Sequence, residues 1–492
     1  MKERQAYGDV LIIGSGVGGL TAGIILSKLN RQVTVVERNP LAGGLMRSYV
    51  RSGVECPVGV HYMGSLDRGQ PLSRMWDYLG VTTSIPVERL GANGVVDRYI
   101  FDDFVFDLPE GIDAFEHNLS QAFPLEQTQI KMIMDDLRQV SRSLSSLDML
   151  ISPEMNFLSP ENFESMGERL MRVGCSTRLL SVLGVPSTLI GVPLKDCPAF
   201  YYYMTLASYL LSSWRLTCSG SRMADAFVSR LKSLGGDVVT GDGVDRIMTE
   251  SGRVKGVILQ SGRVLGATTV IAAVHPQTLV AMLPGDALRP SYAERVNELE
   301  NTKGLFSVSI AVDADAHEAL SYNIYQLYTD EYGALGHGIF HQLRDSGQPG
   351  INILSMITTS SIEEWRNWEQ TTSGRRGRSY AEAKADKARF FIDEASKLFG
   401  NLRGMKILDI YTPLTIRDRV NSPGGSAYGI LRSTRQLIKA ASLRRTSVGG
   451  LFLAGQNSLA PGIMGTMLGS FQTVRQVIGH EQFAREVMGD FL

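Results

Sequence analysis

At 492 residues the chain is too long for one compact core, and two or three domains are expected. Hydrophobic residues make up 43% and charged residues 20%, ordinary for a soluble globular protein that folds without help from disulfides. Lysine plus arginine number 49 against 50 aspartate plus glutamate, a net charge of -1, so no global field draws the chain to nucleic acid.

The first predicted unit is βαβ, over residues 9–38. Residues 9–13 are a short apolar run rich in branched side chains, which suits a strand buried on both faces of a parallel sheet. Gly14-Ser15-Gly16-Val17-Gly18-Gly19 follows as G-x-G-x-x-G, then a helix with Leu20, Ile24, Ile25 and Leu29 at helical spacing. A second strand over 33–36 closes on Glu37. Gly14 permits the tight turn, Gly16 lets backbone approach a pyrophosphate, and Gly19 lets helix and strand pack closely. The helix start turns its unpaired N–H groups and positive dipole end toward phosphates. Glu37, about twenty residues on, suits a ribose 2'-hydroxyl and favours FAD or NAD over NADP.

Gly43 and Gly44 supply a second loop where backbone can approach a ligand, which a domain holding only NAD does not need. His61 and Tyr62 then sit between Gly59 and Gly64 on a loop. A satisfied structural histidine and a working one are both open at His61.

Residues 65–200 read mainly as helices, at 71–79, 114–123, 126–147 and 165–183, after a hairpin pattern at 95–108. This block is the expected cover for a substrate. Residues 179–194 and 199–214 are apolar and admit two readings. One is a buried helix pair. The other is a monotopic surface with Tyr201, Tyr202, Tyr203 and Trp214 at a bilayer interface.

The α/β pattern returns with an amphipathic helix at 222–234 and short strands at 237–240, 243–247, 254–259 and 270–273. Period-two runs at 305–312, 322–327, 351–357 and 405–411 predict an antiparallel sheet. Residues 375–380, RRGRSY, read as a solvated basic turn, with an anionic head group as the alternative ligand. Residues 412–429 read as a pocket-lining loop. A buried strand ends at Gly455, and Gly462 to Thr466 opens a long helix whose N-terminus can stabilise a flavin's carbonyl or reduced anion.

Four cysteines, Cys56, Cys175, Cys197 and Cys218, show no C-x-x-C pair and no histidine at metal spacing, so no metal site is expected and a reducing cytosol suits them. The opening MKERQAYG leaves no room for a signal peptide, and no run reaches the roughly 20 apolar residues of a spanning helix. The expected location is cytoplasmic, with peripheral contact to the cytoplasmic membrane face as the variant.

Four blocks together resemble the phytoene desaturase-like FAD flavoproteins: the Gly14 to Gly19 loop with Glu37, Gly43-Gly44, Gly59-Val60-His61-Tyr62-Met63-Gly64, and Leu453-Ala454-Gly455-Gln456 with Pro461 to Gly465. The likeness runs along the whole chain and is greatest to the retinol saturase and carotenoid cis-trans isomerase branch. It implies an α/β fold in which an FAD-binding Rossmann-type domain (1–75, 215–300, 445–492) alternates with a discontinuous α+β substrate domain (76–214, 301–444). It also implies that Gly14, Gly16, Gly18, Gly19, Glu37 and Arg38 hold the ADP half of FAD, and that Gly43, Gly44 and Ser48 pass the diphosphate and ribityl. By the same likeness Val244 meets adenine, Gly455 and Asn457 contact diphosphate and ribityl, and Gly462, Ile463, Gly465 and Thr466 meet the flavin. Two departures stand out: Asn457 replaces the family's usual acid, and Cys218-Ser219-Gly220-Ser221 replaces paired glycines.

The activity implied is FAD-dependent oxidoreduction at carbon-carbon double bonds of an apolar polyene or isoprenoid, by reduction, desaturation or cis-trans isomerisation. His61 and Tyr62 are the candidate proton donors. No second dinucleotide fingerprint names the electron donor or acceptor. A flavin amine oxidase is one rival, and a non-redox prenyl-binding carrier of the GDP-dissociation-inhibitor kind is another.

Overall fold

The computed structural model describes residues 9–151, 164–217, 219–331, 333–444 and 446–491; the opening octapeptide and Cys218 lie outside them. Val10–Ile13 is buried along its whole length at the centre of a five-stranded parallel sheet. Val33–Glu37 and then Asp237–Thr240 lie on one side of it, Thr269–Ala272 and then Leu451–Leu453 on the other. Strand side chains alternate between faces. Val10 and Ile12 accordingly enter a core with Leu20, Ile24, Leu468 and Phe471, from the helices Val17–Lys28 and Gly462–Ile478. Leu11 and Ile13 enter another core with Val244, Ile247 and Val257, from a three-stranded antiparallel sheet. A strand that buries both faces needs the unbroken apolar run seen in its sequence.

A second sheet of seven strands runs in the order Lys406–Tyr411, Gly304–Asp313, Ile351–Ser360, Leu335–Gln348, Asn323–Thr329, Asp97–Ile100, Val105–Leu108. Its pairs are antiparallel except that Asp97–Ile100 runs parallel to Asn323–Thr329. The 95–108 hairpin is therefore part of this sheet. One face packs on the helix Gly377–Phe399 through Phe306, Ile310, Leu354, Ala388 and Phe391. The opposite face carries Leu305, Tyr325, Leu327, Phe340 and Ile357 toward a cavity.

Helices cover that cavity. The single helix expected at 165–183 is two, Met166–Arg172 and Thr177–Thr188, because Gly174 at φ 81 turns the chain between them. Ala199–Leu211 is a buried helix: Tyr202 and Tyr203 are 0% and 3% exposed, and the Tyr201 hydroxyl donates to the Leu459 carbonyl at 2.9 Å. No helix among the described residues is long and apolar enough to cross a membrane. The basic turn at 375–380 is partly internal, since Arg376 is buried and ion-paired with Asp418. Much of the expected 412–429 loop is helical, as Pro413–Val420, and Ile416, Val420, Ser422 and Tyr428 from this stretch line the cavity.

Candidate functional site

Two glycine turns that stand more than 400 residues apart in sequence touch in space. A Cβ on Gly18 would lie 2.6 Å from the Gly455 Cα and 3.1 Å from the Thr466 methyl, so only glycine admits this approach. The helices that begin there, Val17–Lys28 and Gly462–Ile478, have no side-chain cap on either N-terminus. Their first-turn N–H groups therefore have no partner from a capping residue and are available to a ligand. Both ends open on one cavity of about 1390 Å3. Gly16 lines it in ordinary extended backbone with nothing within 4 Å of where a Cβ would stand. That vacant cradle beside a helix start is the shape a diphosphate needs.

The residues singled out in the sequence divide by place. Gly14, Gly16, Gly18, Glu37, Arg38, Gly44 and Val244 line one end of the cavity. Gly455, Asn457, Gly462, Ile463, Gly465 and Thr466 line the wall beside it, with His61 and Tyr62 further along. Gly19, Gly43 and Ser48 stand outside the lining. The first two fill packing gaps, against the Gly14 carbonyl and the Ala224 side chain. Ser48 hydrogen-bonds Glu55 and Ser221, each at 3.1 Å. The stretch that replaces paired glycines retains one of them where it matters: a Cβ on Gly220 would meet the Met46 carbonyl at 2.0 Å, and Ser219 caps the helix Gly220–Ser233.

Glu37 is buried and held from two sides. Its Oε2 accepts from the Ser15 backbone N–H (3.1 Å) and hydroxyl (2.7 Å), and its Oε1 from the Asn39 N–H and amide (both 2.8 Å). A ligand hydroxyl would take the place of one of these donors. Arg38 reaches away to the Asp418 carbonyl at 2.8 Å, and Asn457 spends its side-chain carbonyl on the Ile430 N–H at 3.0 Å.

Beyond the glycines the lining turns apolar, with Leu180, Ile190, Val192, Leu327, Leu335 and Phe340. His61 lies between the two ends, edge-on to Phe340 with ring centres 5.8 Å apart. Both of its ring nitrogens are sealed from solvent and have no hydrogen-bond partner among the described residues. Burial, reinforced by the Arg344 charge, lowers its pKa to about 4. At neutral pH His61 is an uncharged imidazole with one N–H and one lone pair to offer.

Tyr62 belongs to a buried polar chain. Its hydroxyl is 3.0 Å from Asp97 Oδ2 and 2.8 Å from the Tyr325 hydroxyl. Asp97 Oδ1 accepts from Asn323 at 2.8 Å; Asn323 accepts from Gln342 at 2.9 Å, and Gln342 also donates to the His61 carbonyl at 3.1 Å. Asp97 is 2% exposed, and burial, opposed by the Asn323 and Tyr62 hydrogen bonds, raises its pKa to about 7. Tyr62 and Tyr325 line the cavity.

Known proteins match this arrangement along its length. Residues 12–79 match the NAD(P)-binding Rossmann-like domain family. The all-trans-retinol 13,14-reductase of Macaca fascicularis is 25% identical over 520 residues, 94% of this chain and 84% of its own. The chloroplastic prolycopene isomerase of Arabidopsis thaliana is 24% identical over 491 residues, 92% of this chain and 79% of its own. This similarity fits the phytoene desaturase-like superfamily. Its fold is also that of cyclohexylamine oxidase from Brevibacterium oxydans, at a TM-score of 0.63 and 17% identity over 98% of this chain and 99% of the other. The chain thus shares its scaffold with an amine oxidase, and the fold alone does not choose between the chemistries of these relatives.

Asp97 and Tyr325 escaped sequence reading. A signal for the first was present: in a strand, positions 97, 99 and 101 share a face, so Asp97 stands in line with Tyr99 and Phe101, both buried. An acid on an aromatic face is the anomaly to look for. Tyr325 had no signal, because its partners come from the far end of the sequence.

Proposed function

We propose that this chain is an FAD-dependent oxidoreductase acting on carbon-carbon double bonds of an apolar polyene or isoprenoid. The observation that carries the reading is one continuous cavity, with two uncapped helix N-termini meeting at one end and an apolar, aromatic wall at the other. Residues 1–75, 215–300 and 445–492 would form the cofactor domain, and 76–214 with 301–444 the substrate domain. The Gly14 to Gly18 loop, Gly44 and the neighbourhood of Glu37, Arg38 and Val244 would hold the adenosine diphosphate half. Gly455, Asn457, Gly462, Ile463, Gly465 and Thr466 would hold the ribityl and flavin half. Bound FAD supplies hydride chemistry through its N5.

The chain's own residues have three tasks around that chemistry. The first-turn amides bind and orient the anion without any side-chain rearrangement. Phe340, Leu327 and the helix Thr177–Thr188 exclude water and align an extended apolar chain. His61 contributes an uncharged imidazole to the wall where the two halves join. The family relatives, a retinoid reductase and a carotenoid isomerase, favour this substrate class over an amine. The open cradle at Gly16 favours a bound dinucleotide over a cofactor-less carrier. A cytoplasmic protein that meets a membrane surface to collect its substrate fits Met171, which lines the cavity while 58% exposed.

The test begins with colour. The purified protein is expected to carry flavin absorbance; after anaerobic photoreduction it is mixed with retinoids, carotenoids, polyenoic lipids and prenylquinones. Reoxidation by a polyene, with a product changed in mass by two hydrogens or in geometry alone, supports the reading. A colourless protein, or one reoxidised only when an amine's imine is added, overturns it.

A further inference from the structure

The amide half of the polar chain behind the cavity has a fixed direction, set by the His61 carbonyl. The His61 backbone carbonyl only accepts, so the Gln342 atom 3.1 Å from it is the amide nitrogen. The same nitrogen sits 2.9 Å from Asn323, which must therefore present its oxygen there and its NH2 to Asp97 Oδ1 at 2.8 Å. Oδ1 is thereby occupied as an acceptor, and Oδ2, 3.0 Å from the Tyr62 hydroxyl, is where a proton on Asp97 resides.

Two states of the hydroxyls follow. With Asp97 ionised, Tyr62 donates to Oδ2, Tyr325 donates to Tyr62, and neither hydroxyl proton faces the cavity. With Asp97 protonated, Oδ2–H donates to Tyr62, Tyr62 donates to Tyr325, and the Tyr325 O–H is released toward the cavity that Tyr325 lines. One internal proton thus decides whether the Tyr62–Tyr325 pair presents an O–H to the cavity.

We propose that Tyr325 is the proton donor to the substrate and that Asp97, acting through Tyr62, is the store that recharges it, so that this chain runs in the direction of double-bond reduction. The inference rests on the function proposed above. In the step, one alkene carbon gains a hydride, whose chemical source is a reduced flavin. The π electron pair then forms the second C–H bond with the Tyr325 proton as its O–H bond breaks. The resulting phenolate regains a proton from Tyr62, Tyr62 takes the one on Asp97 Oδ2, and water reprotonates Asp97. The product carries two more hydrogens, and the flavin is left oxidised by two electrons.

The surroundings suit a proton store. The titratable groups facing Asp97 are Tyr62 from its loop, Tyr325 from the neighbouring strand, Tyr99 from its own strand and Tyr209 from the helix Ala199–Leu211. Tyr62, Tyr99 and Tyr325 are buried and Tyr209 is half-buried; burial raises the pKa of all four, so none of them competes for charge near neutral pH. Arg98 points the other way, to Asp107 at 2.8 Å. Asp97 is a positioning and relay residue in this scheme; only Tyr325 touches the substrate.

Infrared titration of the purified full chain from pH 5 to 9 tests the store without relying on turnover. A protonated carboxyl band with a midpoint near pH 7 is expected, absent in Asp97→Asn and shifted in frequency in Tyr62→Phe. In single turnovers of photoreduced protein with a polyene in heavy water, both hydrogens added to each product are expected to be deuterium, because the hydrogen that photoreduction places on the flavin also comes from solvent. The rate falls as pH rises above about 7 in the native chain and loses that dependence in Asp97→Asn. Tyr325→Phe is expected to slow the step roughly 100-fold with KM unchanged. Reduction by Tyr325→Phe at the native rate, or no carboxyl that titrates in this range, overturns the proposal while the polyene reading stands. Failure of every polyene to reoxidise the flavin overturns that reading, and the direction proposed here falls with it.

Discussion

Gly16 and Gly18 stand two residues apart in one loop and answer to different neighbours. Gly18 packs against Gly455, so Gly18→Ala drives a methyl into backbone and is expected to cost about 1–3 kcal/mol of stability as well as the cofactor. Gly16 has extended backbone and empty space before it, so Gly16→Ala is tolerated by the chain itself. Its unfolding free energy is expected to stay within about 0.5 kcal/mol of the native protein, while flavin content drops at least tenfold. Thermal unfolding beside flavin absorbance separates the two variants. The glycine loop was legible because a phosphate-binding turn restricts residue type at fixed spacing. Asp97 was overlooked for the opposite reason: its role depends on partners from 62, 323 and 325, and no local rule brings those positions together.

At the scale of elements, the parallel strands and most long helices announced themselves, since each carries its own periodicity, whereas Pro413–Val420 read as a loop. The strand Leu335–Gln348 did not. It has Gly336 and Gly338 near its start and histidines at 337 and 341, yet it lies in the middle of the large sheet. Tertiary pairing there overrides a composition poor in strand formers. Gly338 sits where a Cβ would be 2.7 Å from Leu327, and a larger residue would swell the cavity wall. The helix Thr177–Thr188 forms another wall, and Gly184 is its thinnest point, with Leu335 3.2 Å from a Cβ placed there. Gly184→Leu should narrow the apolar end only. Flavin content is expected to stay at the native level while kcat/KM for a long polyene falls by about tenfold or more, a loss of roughly 1.4 kcal/mol in transition-state stabilisation. Steady-state kinetics with long and short substrates checks it, the short one being spared.

For the molecule as a whole, acid stability reflects what is buried. His61 and His275 have their pKa lowered to about 4 and His341 to about 3, in each case first by burial. An unfolded histidine titrates near 6.5. Below that pH the unfolded chain takes up three protons that the folded chain refuses, so stability falls as pH drops toward 4. Asp97 opposes this, because its raised pKa lets the folded chain keep a proton that the unfolded chain has released. The net uptake from these four groups is about two protons, which steepens to a slope of roughly 2–3 kcal/mol per pH unit at most. Denaturant midpoints measured at pH 5, 6 and 7 should show it. Asp97→Asn removes the opposing group, so its acid loss is expected to be steeper than native between pH 4 and 6.5, and its stability at pH 8 relatively higher.

The parallel sheet is assembled from segments near residues 10, 33, 237, 269 and 451, and its edge strand Leu451–Leu453 comes more than 170 residues after its neighbour Thr269–Ala272. A ribosome must therefore pass residue 455 before Gly18 has Gly455 to lean on. Until then the first glycine turn stands without the second, and Thr269–Ala272 is an unpaired sheet margin open to other chains.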